Sequence, residues 1–213
     1  MPLSNRACTM DPFVLHIDRS KDNAVYYSIP VIGTFFRWRL KVAVAMFTEA
    51  RVHRLLDIGY GAGLLIGELA GRADQMVCVD VHDYHVEVRR QALRDGYAID
   101  AARGDASALP FAAEAFDAVF CVSLLEHVTD LQHVVQEIRR VLQPNGTLIA
   151  GFPPRSSLTS ACFRAIGFDY ARLHPNGETA ILSALASCFA VERVIMRPRV
   201  APLYVVTRCT RKE

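Results

Sequence analysis

Residues 55–65 read Leu-Leu-Asp-Ile-Gly-Tyr-Gly-Ala-Gly-Leu-Leu: an apolar run ends in Asp57, and Gly59, Gly61 and Gly63 follow at alternate positions. Glycine has no Cβ, so the backbone can turn sharply there and approach a bound molecule closely. A strand, a glycine loop and a helix in succession also offer free backbone N–H groups at the carboxyl end of the strand. Residues 53–71 therefore read as a cradle for a small ligand, against the plainer alternative of a tight strand-to-helix turn. The spacing bears on which ligand it is. A dinucleotide fingerprint is G-x-G-x-x-G, and here Leu64 stands where its third glycine falls. Asp57, two residues ahead of the first glycine, repels a pyrophosphate and attracts a cationic amino group.

S-adenosylmethionine carries an ammonium and a sulfonium and no phosphate, and the stretch resembles motif I of the class I S-adenosylmethionine-dependent methyltransferases. Four further segments match that family in order. Gln75-Met76-Val77-Cys78-Val79-Asp80 is a short β-rich run ending in an acid 23 residues after Asp57, near the separation at which α/β nucleotide sites place a ribose-binding carboxylate. One carboxylate can accept from two vicinal hydroxyls; the alternative for Asp80 is a solvated loop acid. Arg103–Phe111 resembles the segment after the third strand, and Phe116–Val128 the fourth strand and its exit loop. Ile138–Ile149 resembles the helix and turn that lead into the fifth strand. The matches span residues 53–152, about half of the chain, and look like the subgroup that methylates small molecules and lipids. The resemblance implies S-adenosyl-L-methionine as cofactor, held by Asp57, Gly59, Tyr60, Gly61, Gly63, Asp80, Val81, Asp105, Ala106 and Ser123, with Asp105 at the position that takes the adenine amino group. It implies a Rossmann-like, doubly wound α/β sheet of seven strands, mostly parallel with an antiparallel C-terminal strand.

Methyl transfer from a sulfonium asks chiefly for positioning, but an acceptor hydroxyl can need a base, most often histidine. His127 follows the fourth strand and His174 lies beyond the fifth; they are the catalytic candidates, against a loop-bracing role for each. His82 and His85, beyond Asp80, read as surface residues. No Asn-Pro-Pro-Tyr motif of the amide- and adenine-methylating enzymes follows the fourth strand, where the chain has Ser123-Leu124-Leu125-Glu126. No acidic cluster of the catechol type stands out, so no metal is expected. The acceptor is read as a small or lipid-like molecule methylated at O, N or C. A non-catalytic binding protein on the same fold and a nicotinamide-dependent oxidoreductase are the alternatives; the acids at 57, 80 and 105 oppose the first, Leu64 and Asp57 the second.

The elements that must hold these residues follow from pattern. Strands are expected at 53–58, 75–80, 98–102, 116–122 and 146–152, helices at 62–72, 83–95 and 130–142; such alternation makes a parallel sheet covered on both faces. In the last helix Leu131, Val134, Val135, Ile138, Val141 and Leu142 share one face, Thr129 or Asp130 can cap its start, and Pro144-Asn145-Gly146 ends it. Residues 155–175 read as irregular, a helix is expected at 177–187, and Phe189–Ile195 with Leu203–Arg208 form an antiparallel pair across a short connection. A helix from Pro30 to about Ala50 carries Phe35, Phe36, Trp38, Leu40, Val44 and Phe47 beside Arg37, Arg39 and Lys41. It reads as a lid, with peripheral membrane contact as the alternative.

The whole is one domain: leader and lid helix over 1–50, cofactor core over 53–152, an acceptor-side insertion over 153–188 and a C-terminal hairpin over 189–213. The acceptor pocket is expected from about 20–40 and 153–176, with Tyr26, Tyr27, Ile29, Phe35, Phe36, Phe163, Ile166, Phe168 and Tyr170 as its apolar lining, or simply as caps on the core. The 213 residues are 52% hydrophobic with net charge +2, enough for a large core and no strong attraction for nucleic acid. Six scattered cysteines form no C-x-x-C pair, which fits reduced thiols in a cytoplasmic setting; neither a signal peptide nor a membrane span is read in the chain.

Overall fold

The structure, a computed structural model, describes residues 30–165 and 169–212. Seven strands form one sheet in the order β3-β2-β1-β4-β5-β7-β6: β1 Val52–Ile58, β2 Ala73–Asp80, β3 Ile99–Arg103, β4 Phe116–Val122, β5 Leu142–Phe152, β6 Phe189–Arg197 and β7 Tyr204–Arg211. β1 to β5 pair in parallel, and β7 runs antiparallel to both β5 and β6. Only β7 is thus reversed, as expected for the fold. The strand order changes direction between β1 and β4, the switch point at which open α/β sheets bind ligands.

Side chains alternate across the strands and divide the core in two. Leu56, Ile58, Val119, Cys121, Leu148 and Ala150 meet α4 (Leu131–Val141) and α7 (Glu178–Cys188) on one face. Leu55, Met76, Cys78, Phe120, Ile149 and Val206 meet α1 (Pro30–Met46), α2 (Ile66–Leu69) and α3 (His85–Arg94) on the other. α4 forms where its apolar spacing places it; Leu131, Val134, Val135, Ile138 and Val141 are buried, and the Asp130 carboxylate caps it by accepting from the His133 N–H at 3.0 Å.

Four expectations are corrected. The helix read over 62–72 shrinks to α2 and a 3₁₀ turn at Ala70–Arg72, because Gly59, Gly61 and Gly63 all take positive φ and unwind its first turn. The described residues within 155–175 are not irregular throughout: they hold α5 (Ser157–Ala165) and α6 (Tyr170–Leu173). Ser156 starts α5, its hydroxyl accepting from the Thr159 N–H at 3.0 Å. β5 begins at Leu142 rather than 146, with an irregularity opposite Phe116 where Asn145 adopts φ 60°. α1 ends at Met46, short of Ala50. Residues 1–29, with Tyr26, Tyr27 and Ile29, and Ile166 and Phe168 lie outside the described residues, as do the side chains of Phe36 and Phe163. Among the described residues no helix is long and apolar enough to cross a membrane.

Candidate functional site

The sequence-derived cofactor residues gather at the carboxyl ends of β1 to β4. Leaving β1, Gly59 donates to the Val79 carbonyl at 2.8 Å, and Gly61 donates to Asp80 Oδ2 at 2.9 Å. Asp80 Oδ1 accepts from the Val81 N–H at 2.7 Å. The second acid therefore fastens the glycine loop to β2, while each of its oxygens retains lone-pair capacity. Gly61 has φ 51°, and a Cβ there would meet nothing within 4 Å, so the turn faces open space. His82 is no mere surface residue: its Nε2 lies 3.2 Å from the Gly61 carbonyl, and its ring stands edge-on to Tyr60 at 4.8 Å. After β3, Asp105 Oδ1 accepts from the Ser107 N–H and hydroxyl, both at 2.8 Å, which holds its carboxyl below the usual range; Ala106 is buried beneath it.

Asp57 is the electrostatic centre of this edge. It is 1% exposed, and its Oδ2 has no hydrogen-bond partner. Burial, with the charge of Asp80 second, pushes its carboxyl up to about 7. The Tyr60 hydroxyl is also buried without a partner. Orphaned buried polar atoms call for a missing group. A cation beside Asp57 and a ligand across the open Gly61 turn would satisfy both features, so the residues present fit an ammonium-bearing cofactor.

Ser123, past the end of β4, stands at φ 62°. Its hydroxyl accepts from Arg39 Nη1 of α1 at 2.8 Å and lies 2.7 Å from the Tyr204 hydroxyl. Sequence reading names Arg39 only as one of the basic residues of α1, and Tyr204 is not marked by local pattern; only the pairing of β7 with β5 brings Tyr204 within reach of Ser123. The apolar face of α1 packs on β5 and β7, burying Leu40, Ala43, Val44 and Met46.

Three residues along, the chain reaches a second cluster. Glu126 is 1% exposed with Oε2 unpartnered, and burial pushes its carboxyl up to about 8. His127 Nδ1 lies 2.9 Å from the Leu173 carbonyl, so that nitrogen carries the proton and Nε2 keeps its lone pair. His174 is 3% exposed, its ring 4.7 Å from that of His127 and 4.4 Å from Tyr170; burial, with His127 second, holds its imidazole down at about 4. Asn176 stitches the two segments, donating through Nδ2 to the Leu125 and Val128 carbonyls at 2.9 and 2.7 Å. The structure thus brings both sequence-derived histidines together and adds Glu126, which sequence reasoning passed over because nothing local marks it as buried.

A seven-stranded sheet with one reversed strand, a glycine loop after β1 and acids ending β1 and β2 is the arrangement that the resemblance to the class I S-adenosylmethionine-dependent methyltransferases implies. Residues 56–150 match the family model described as a methyltransferase domain. It is 36% identical over 118 residues to a ubiquinone biosynthesis O-methyltransferase of Methylocella silvestris, covering 55% of this chain and 46% of that one; it spans about half the length of the curated relatives it matches. The fold is shared with a protein of Pyrococcus horikoshii at TM-score 0.72 and 21% identity, over 85% of this chain and 92% of that one. It is likewise shared with the N-methyltransferase NodS of Bradyrhizobium japonicum, solved with S-adenosyl-L-homocysteine, at TM-score 0.68 and 19% identity, over 84% and 88%.

Proposed function

We propose that this protein transfers a methyl group from S-adenosylmethionine to a hydroxyl oxygen of a small or lipid-like acceptor. The observation that carries the reading is the buried, unpartnered Asp57 carboxylate beside the open turn at Gly61. When bound, the cofactor supplies a methyl group already activated on a sulfonium. Asp57 would take its ammonium end, Asp80 the ribose diol and Asp105 the adenine amino group, with Tyr60, Val81, Ala106 and Ser123 lining the same edge. Gly59, Gly61 and Gly63 let the backbone come close without a side chain intervening. The protein's contribution to rate is then chiefly orientation.

The acceptor end is assigned to His127 and His174 with Glu126. These lie on the exit loop of β4 and between α6 and α7, next to the site edge that Ser123 and Arg39 mark. Neutral imidazoles suit a hydroxyl acceptor, which they can orient and relieve of its proton; the O-methyltransferase names of the curated relatives favour the same acceptor atom. α1 is read as the wall or lid of that pocket, since its apolar face is already engaged by the sheet. Calorimetry with S-adenosylhomocysteine and with NAD tests the cofactor reading: one saturable site for the former is expected, and heat with NAD alone overturns it. Mass spectrometry of quenched reactions with phenolic and prenylated phenolic acceptors tests the transfer, expected as the gain of one methyl mass.

A further inference from the structure

We propose that Glu126, His127 and His174 form a binding site for a divalent transition-metal ion at the acceptor end of the domain. One ligand atom from each of the three lies within 4.8 Å of the others. Two imidazoles and one carboxylate are a donor set suited to zinc, iron(II), cobalt(II) and nickel(II). Metal–ligand bonds of about 2.1 Å require the three atoms to draw in by roughly an ångström, a movement within reach of side-chain rotation.

Independent features point into the same spot. The Glu126 side chain is 2% exposed, with Oε1 3.9 Å from His127 Nε2 and Oε2 buried without a partner. A buried carboxylate oxygen in that state wants a cation or a donor. The His127 ring is already set as a ligand ring is: its Nδ1–H goes to the Leu173 carbonyl, which turns Nε2 toward Glu126. Asn176 binds the 125–128 loop to the 174–176 turn through three hydrogen bonds, two from its side chain and one from its N–H to the Glu126 carbonyl at 3.4 Å. The ligands are therefore held by a brace that needs no metal. Three protein ligands leave coordination positions open, the pattern of a catalytic rather than a structural site. With the ion bound, the two histidines would act on the acceptor through it in place of taking its proton directly: an open position would receive the acceptor hydroxyl oxygen, whose proton would pass to solvent.

The test uses the full, untagged chain, stripped with chelator and titrated with cobalt(II) chloride while the visible spectrum is recorded. One equivalent is expected to bind, with d–d bands of nitrogen and oxygen ligation and no thiolate charge-transfer band. His127→Ala and His174→Ala should each weaken that binding by about 100-fold or more, while circular dichroism and S-adenosylhomocysteine affinity stay as in the unsubstituted protein. Glu126→Gln, nearly isosteric, serves as the further variant if an alanine replacement fails to fold, and should also lose the spectrum. Absence of cobalt(II) binding, a thiolate band that Cys162→Ser removes, or a spectrum unchanged in the histidine variants overturns the site. Because homocysteine-cofactor heat is read separately, a protein that binds it but not cobalt(II) overturns this site and leaves the methyl-transfer reading standing. A protein that binds cobalt(II) alone supports the site and removes that reading.

Discussion

Asp57 is a buried carboxylate whose Oδ2 accepts from no donor of the chain, and the consequence is a pH dependence that can be worked through. Burial first, and Asp80 second, raise its carboxyl to about 7 in the folded chain. A raised acid binds its proton more tightly folded than unfolded, so stability is greatest below the unfolded value near 4 and falls as pH climbs to about 7. A shift of that size corresponds to on the order of 4 kcal/mol. Asp57→Asn should therefore be more stable than the parent at pH 8 and gain nothing at pH 4, measured by urea unfolding at both values. Cofactor affinity should run the other way. A cation is bound best when Asp57 is ionised, so S-adenosylhomocysteine affinity rises between pH 6 and 8 in the parent; a flat profile is expected in Asp57→Asn. Gly61 answers to a different constraint. Its φ of 51° disfavours a β-branched side chain, yet no atom stands within 4 Å of a Cβ there. Gly61→Val should thus cost only about 1–3 kcal/mol of strain and leave a folded protein that has lost cofactor binding by calorimetry.

At the scale of elements, α4 shows what local pattern can specify. Its apolar face and its Asp130 cap are both written in adjacent residues, and the observed helix differs from the expected one by a residue at each end. Asp130→Ala should cost about 1 kcal/mol, the usual worth of a cap, seen as a lower melting temperature with cofactor affinity kept. The strands beside it were equally legible, because a buried parallel sheet demands continuous apolar runs. The misjudged elements have specific causes. α2 is shorter than its apolar spacing suggests because that spacing continues through residues whose glycine neighbours set the backbone. α5 is not legible locally because its cap, Ser156, follows closely on Pro153-Pro154, a pair that by itself signals a break. The candidate site divides the same way. The cofactor loop is contiguous in the chain and could be read from it. The second cluster joins Glu126 and His127 to His174, across a distance that only the packing of the 125–128 loop on the 174–176 turn closes. His127 and His174 could be picked singly; that they meet, with a buried glutamate between, could not.

The whole molecule is held across its two edges by α1. At the ligand-binding edge Arg39 reaches Ser123. Past the other end of α1, Glu49 meets Arg208 of β7 at 2.8 Å and the Thr147 hydroxyl of β5 at 2.6 Å. Arg208 also donates to Glu192 of β6 at 2.9 Å, so one guanidinium ties the helix exit to the terminal strands. Burial alone would raise the Glu49 carboxyl, but the hydrogen bonds from Arg208 and Thr147 outweigh it and bring it down to about 2. A lowered acid stabilises the fold above its unfolded value, and the contribution is lost as pH falls through roughly 4 toward 2. Glu49 and Arg208 are 27% and 17% exposed, so the pair is only partly screened by water. Arg208→Met keeps the packing volume of the stem and strands the Glu49 charge. It should cost about 3 kcal/mol at pH 7, the low end for a broken buried pair. The deficit against the parent should shrink at pH 3, where protonation of Glu49 in the variant removes the stranded charge. Because this clamp lies at the edge opposite the glycine loop, S-adenosylhomocysteine affinity should be unchanged in the folded variant. Urea unfolding at the two pH values and calorimetry at pH 7 check all three statements. A deficit independent of pH would mean that Arg208 acts through packing rather than through its charge.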